Sequence, residues 1–356
     1  MDKFSSWGIK IRKDPKLNYY SIWDGKNLKT VRLRIDDKEI KPLPIDNPEF
    51  IDCGITEKCN AHCNFCYVEA SKDKREYQNI CETWKKWIKI FPEDIRILPK
   101  DDSILRELIK TYPRTRKEMK AEGELGRLKL NLLVNCLQGN PFLYTSKIFQ
   151  VCLGSVGEPT IHPEFPLLLQ EIYESGVVPN YTTNGIILSQ NNTICKEILE
   201  ATRNFCGGVA VSYGNKELRG YADKAIKNLL KYGDCRVMLH CIISDNSSVD
   251  DFLKIREKFK DEISYFVLLP LKKHGRSASC MTDEAFLYLA KILKEKNITN
   301  VAFGANFLPF LQKYSTGIEL YEYPEERYSK NVLLGDGKVI ITENSFNLKP
   351  LKIINV

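Results

Sequence analysis

CNAHCNFCY, residues 59–67, sets three cysteines and one histidine within its first eight positions. The chain around it has 356 residues, 12 of them cysteine. Its opening, MDKFSSWGIKIRKD, lacks the apolar core of a signal peptide, and no apolar run approaches the length of a membrane span. These features predict a cytoplasmic protein with no membrane partner. In that reducing compartment, clustered cysteines read as metal ligands or catalytic groups before they read as disulfides. Zinc would want a fourth ligand, which His62 offers as part of a Cys3His set, although its adjacency to Cys63 makes convergence awkward. An iron–sulfur cube held by Cys59, Cys63 and Cys66 would keep one iron open to an exogenous ligand. Three buried thiols without metal are the remaining alternative.

Outward from this loop, β-rich runs recur, each closed by a turn signal and followed by a helical pattern. They are FIDCGIT (50–56), KIFQVCLG (147–154), VVPNYTTNG (177–185), GGVAVSYG (207–214), CRVMLHCIIS (235–244) and YFVLLP (265–270). Between them, FPLLLQEIYESG and DKAIKNLLKYG carry helical spacing and stop at Gly176 and Gly233. Strands alternating with helices predict an α/β fold with a parallel sheet. Six such strands suit a partial or complete barrel, or an open doubly wound sheet, and the pattern does not separate them. The cysteine loop leaves the C-terminal end of the first strand, where such sheets place their chemistry.

Two further strand ends carry motifs. LGSVGEPTIHPEF (153–165) closes the second, and YTTNG (181–185) the third. With these in order, the sequence resembles the radical SAM superfamily. CNAHCNFC is similar to its C-x3-C-x2-C signature, including an aromatic residue, Phe65, before the last cysteine. GEP is similar to its GGEP motif and TNG to its own strand ending. The resemblance covers roughly residues 48–275 apart from an insertion. One position departs from it: Val156 stands where the first glycine of GGEP is found.

The resemblance implies a partial (β/α)6 TIM-like barrel over 48–300. It also implies a [4Fe–4S] cluster on Cys59, Cys63 and Cys66, with S-adenosylmethionine on the open iron. Reductive cleavage would yield methionine and a 5′-deoxyadenosyl radical that takes a hydrogen atom from a substrate. A flavodoxin or ferredoxin would supply the electron. Glu158 is implied as acceptor for the methionine ammonium, Gly157 as the point of close backbone approach and Pro159 as the fixed turn. Thr183 and Asn184 belong to the TNG ending. Ser212 would reach a ribose hydroxyl, His240 would face the cofactor, and Leu269, within 268–270, would border the adenine beside Phe65. A helix-capping serine and a satisfied core histidine are the plain alternatives for Ser212 and His240.

Residues 72–146 interrupt the rhythm with helical stretches such as ICETWKKWIKIF and SILRELIKTY, and read as a mostly helical insertion after the first strand. Trp84 and Trp87 there could grip a polymer, with a lid or a packing brace as the alternative. Residues 1–47, with alternating VRLRI, read as a β-rich extension. In the tail, 301–356, Asp336-Gly337 between apolar runs predicts a hairpin. This tail resembles SPASM and twitch extensions, but without their cysteines, so one cluster is expected. In PLKKHGRSASC (270–280), Lys272, Lys273, His274 and Arg276 read as a solvated loop or as a clamp on an anion, and Cys280 as a hydrogen-atom donor. Cys53, Cys152, Cys235 and Cys241 read as small buried hydrophobes. A net charge of +7 permits an anionic partner without requiring one. A peptide or protein substrate is therefore weighed against RNA or a nucleotide, and against a cluster-containing binding protein without turnover.

Overall fold

The computed structural model describes residues 9–14, 19–24, 29–34, 48–97, 141–314, 316, 329–344 and 347–356, with scattered residues between 106 and 139. In chain order the first strands are β1 (Ile9–Asp14), β2 (Tyr19–Asp24), β3 (Lys29–Arg34), β4 (Phe50–Gly54), β5 (Ile95–Ile97) and β6 (Phe142–Tyr144). They are followed by β7 (Gln150–Leu153), β8 (Val178–Thr183), β9 (Gly208–Ser212), β10 (Arg236–Ile243) and β11 (Tyr265–Pro270). The last are β12 (Val301–Phe303), β13 (Ser329–Gly335), β14 (Lys338–Thr342) and β15 (Pro350–Asn355). The chain divides into two compact units: residues 1–49 with 88–149, and residues 50–87 with 150–356.

The larger unit is built on a ten-stranded sheet in the order β12-β11-β10-β9-β8-β7-β4-β13-β14-β15. From β4 through β7 to β12 every neighbouring pair is parallel, with a helical crossover at most steps. The six strands read from the sequence are thus consecutive neighbours in an α/β partial barrel. Alternation sets their two faces. Along β10, Val237, Leu239, Cys241 and Ile243 are buried, while Met238, His240 and Ile242 are only half-buried on the other face. Phe266 of β11 meets Phe252 of the helix Asn246–Phe259 edge-on at 6.0 Å, so the buried face is the one under the helices. The helix Phe165–Glu174 supplies Phe165, Leu168, Leu169 and Ile172 to this layer at helical spacing. Each such burial contributes about 1.5–3 kcal/mol.

Asp336 and Gly337, at φ 54° and 69°, make the tight turn between β13 and β14. The hairpin does not stand alone, because β13 pairs in parallel with β4 and carries the sheet past the first barrel strand.

The smaller unit changes the reading of the N-terminal extension and the insertion. Its five-stranded sheet runs β3-β2-β1-β6-β5, so β1 from the extension pairs directly with β6 from the far end of the insertion. The insertion contributes strands as well as helical residues, and SILRELIKTY lies largely outside the described residues. Residues 72–87 belong instead to the barrel unit. There Trp84 and Trp87 are fully buried, packed edge-to-face at 5.7 Å. The Trp84 indole donates to Ser175 Oγ at 3.3 Å. They are core residues of the barrel unit, which favours the packing role over the polymer grip. Among the described residues no helix is long and apolar enough to cross a membrane.

Candidate active site

The loop after β4 carries Cys59, Cys63 and Cys66, all half-buried. Its backbone is tied into a compact turn: Cys59 N–H donates to Ser71 O at 3.1 Å and Cys66 N–H to Cys63 O at 3.2 Å. Burial and the nearby Glu158 carboxylate push the Cys59 thiol up to about 11. Burial also raises Cys63, against the pull of the Asn215 carboxamide. His62 is exposed. Among the described residues, no three His, Cys, Asp or Glu side chains converge on one ion. Three cysteines on one loop are a donor set that fits a [4Fe–4S] cube with one iron left to an exogenous ligand.

The turn after β7 packs against that loop. Glu158 N–H donates to Lys58 O at 2.9 Å. The Glu158 side chain is 3% exposed. It accepts from Thr160 Oγ1 at 2.6 Å, from Thr183 Oγ1 at 2.8 Å and from the Asn184 N–H at 2.7 Å. Burial raises its pKa while these donors lower it. Glu158 therefore staples the turn after β7 to the TNG ending of β8. Its Oε2 takes only the Asn184 N–H among these bonds, out of the roughly four acceptor sites of a carboxylate. Pro159 opens the short helical turn Pro159–Ile161, which Glu158 caps.

Val156 occupies a gap shaped by another glycine. It is 1% exposed, and a Cβ on Gly54 would lie 2.4 Å from Val156 Cγ2. A side chain where the family has glycine is accommodated because β4 ends without one. Gly54→Ala is expected to cost about 1–3 kcal/mol by overpacking. In a double-mutant cycle, Val156→Ala should recover much of that cost, a coupling of about 0.5–3 kcal/mol. Additive losses in urea unfolding would refute the pairing.

Asn184 brings its carboxamide to the cysteine loop, donating to Asn60 Oδ1 at 2.8 Å and to Cys59 Sγ at 3.7 Å. A second asparagine, Asn215, follows β9 and donates to Cys63 Sγ at 3.3 Å. The sequence marks it only as the residue after AVSYG, a capping position, and its sulfur contact was not legible there. Phe65 is half-buried and lines a cavity of about 400 Å³ with Tyr213, Ile242, Leu271 and Ser244. Ser212 pairs in register with His240. Ser212, His240 and Leu269 are half-buried residues of the barrel strands but do not line that cavity. Cys280 is exposed and does not line it either.

Burial lowers His240 to about 4, so its ring is neutral at pH 7. A folded-state pKa below the unfolded value of about 6.5 adds nothing above that pH and costs stability as pH falls from about 6.5 toward 4. Because His240 is only half-buried by accessible surface, the expected loss between pH 7 and pH 4.5 is about 1–2 kcal/mol. His240→Gln should flatten that segment of the stability–pH curve, and an unchanged slope would count against a shielded ring.

In the segment after β11, Lys273 and His274 are exposed, as a solvated loop would be, while Arg276 is engaged with the cysteine loop. Arg276 donates from Nε to Cys63 O at 2.8 Å and from both terminal nitrogens to Ala70 O at 3.1 Å. These bonds to backbone carbonyls replace the solvated reading of this side chain. Lys272 sits over the Tyr67 ring at 4.7 Å, and Tyr67 OH donates to Ser155 O at 3.2 Å.

No protein-family model and no curated protein matches the chain. Among solved structures it is similar to SuiB of Streptococcus suis. With SuiB bound to S-adenosylmethionine the identity is 14% and the TM-score 0.50, over 83% of this chain and 60% of that one. With SuiB bound to the precursor peptide SuiA the values are again 14% and 0.50, over 83% and 59%. Another SuiB structure gives 11% and 0.51, over 92% and 81%. In its two ligand complexes, then, SuiB extends well beyond the part this chain matches, and at these identities the likeness is one of fold.

Proposed function

We propose that the chain is a radical SAM enzyme acting on a peptide or protein. Cys59, Cys63 and Cys66 would hold one [4Fe–4S] cluster, and S-adenosylmethionine would dock at the iron they leave open. The observation that carries this reading is the meeting of two strand-end turns at one loop: Glu158 and Asn184 both bond to the segment that bears the cysteines. When bound, the cluster and S-adenosylmethionine supply one-electron cleavage of a sulfonium and a radical able to take hydrogen from an unactivated carbon.

The protein's share is placement. Glu158 offers its remaining Oε2 site to the ammonium of the methionine moiety. Phe65 and the cavity beside it shelter the nucleoside, with Ser212 and the chain at Leu269 nearby on the strand ends. His240, neutral at pH 7, offers a hydrogen bond and no charge. A peptide is favoured over RNA by the SuiB likeness, since that protein was crystallised with a precursor peptide, while a charge of +7 permits RNA without requiring it. The reading of a cluster protein without turnover loses its one sequence argument, because Val156 has its own packing partner in Gly54.

Anaerobic incubation of the iron-loaded protein with S-adenosylmethionine and a strong reductant tests the proposal. The expected products are 5′-deoxyadenosine and methionine. Zinc without iron or sulfide, or an iron-loaded protein that leaves S-adenosylmethionine intact, would overturn it.

A further inference from the structure

Two asparagines from successive strand ends treat the cysteine sulfurs alike. The Asn184 Oδ1 accepts from the Ile186 N–H at 2.9 Å, and the Asn215 Oδ1 accepts from the Glu217 N–H at 3.0 Å. Each backbone N–H fixes which end of its carboxamide is the acceptor, so the NH2 group is turned to the loop, onto Cys59 in one case and Cys63 in the other. Behind Cys63 stands a full positive charge. The described partners of the Arg276 guanidinium are all backbone carbonyls.

Its segment is built to stay there. The Arg276 N–H donates to Cys66 O at 3.1 Å, and His274 Nδ1, which must carry the proton, donates to Tyr67 O at 2.9 Å. Gly275 adopts φ +60°, and a Cβ there would lie 2.5 Å from Cys66 O and 2.7 Å from Tyr67 O. Only glycine lets the two backbones meet so closely. Residues 274–276 thus latch the cysteine loop through the carbonyls of Cys63, Cys66, Tyr67 and Ala70.

We infer that Asn215 and Arg276, with Asn184 in a lesser part, are positioning residues that raise the reduction potential of the cluster and hold its loop in place. The inference rests on the proposed cluster at Cys59, Cys63 and Cys66. Reduction adds negative charge shared with the thiolates. Donors to sulfur and a nearby cation favour the more negative state, and outer partners of this kind tune such centres.

The test is a spectroscopic redox titration of the full chain, purified anaerobically with its cluster, read as the midpoint potential. Arg276→Gln should lower the ratio of reduced to oxidised cluster at a fixed potential about tenfold, which for one electron is about 59 mV. Asn215→Leu should lower it several-fold, and Arg276→Lys, which keeps the charge without the fork, should restore most of the loss. Midpoints unchanged in both Arg276→Gln and Asn215→Leu, with iron and sulfide retained, would overturn this inference and leave the proposed function standing. A wild-type chain without iron would overturn both. Hydrogen exchange on the metal-free chain reads the latch without the cluster. Residues 59–70 should exchange faster in Arg276→Gln, and unchanged exchange would refute the latch.

Discussion

Cys59→Ala, Cys63→Ala and Cys66→Ala are each expected to abolish the brown absorbance, iron content and S-adenosylmethionine cleavage, whereas Cys53→Ala keeps all three. The four thiols lie within a short stretch of chain, and their surroundings separate them. Cys53 is fully buried on β4, and burial pushes its thiol far above the ordinary range, so it stays protonated. It packs as a small hydrophobe, and its loss should cost no more than about 1–2 kcal/mol of stability. The other three are half-buried on a loop after the strand, and Cys59 and Cys63 each receive an N–H donor from an asparagine. Those donors offset part of the burial that raises both thiols, and ligation would take the deprotonated sulfur. Iron and sulfide analysis of the four variants decides the matter. A Cys53→Ala protein that alone loses its iron would show that the ligand set is drawn wrongly.

The strands were legible because each is a short apolar run ended by a turn signal that is local in sequence, while their closing into a partial barrel was only implied by the resemblance. The positions of Gly157, Glu158 and Asn184 were legible for the same reason, since motifs at strand ends fall on one rim of a parallel sheet. What was not legible depends on pairing between distant segments. Nothing in IKIRKD announces that Lys10 lies opposite Leu143 in a parallel ladder, so the extension and the insertion read as separate pieces. Trp84 and Trp87 were open to a polymer grip or a packing role because charged residues flank them in sequence, and helical periodicity turns both inward and the lysines outward. Glu158 was read as a ligand for the ammonium, and its bonds to Thr160 and Thr183 required the neighbouring turn in three dimensions. Arg276 escaped for a simpler reason. Its partners are carbonyl oxygens, which every residue possesses, and no side-chain pattern records them.

Gly157→Ala is expected to be the most damaging of the small substitutions in this region. A Cβ there would lie 2.2 Å from Thr56 O and 2.6 Å from Lys58 O. Both are backbone atoms, so no rotamer change relieves the contact. Both also belong to the segment leading into Cys59, and Lys58 O already accepts the N–H of Glu158. The added methyl must therefore either lift the turn after β7 or displace the cysteine loop. Lifting the turn strains the buried carboxylate that joins Thr160, Thr183 and Asn184, and breaking such a set costs about 3 kcal/mol or more. Displacing the loop shifts the thiols relative to Asn184 and Asn215. Iron uptake should fall at least about tenfold, with a stability loss of about 2–4 kcal/mol. Gly220→Ala is the matched control, because that helical glycine has nothing within 4 Å of the added Cβ and should gain up to about 1 kcal/mol in helix propensity. A Gly157→Ala protein with native stability and full iron would mean that the strand-end turn and the cysteine loop are not rigidly joined, and that Glu158 does not set where the thiols lie.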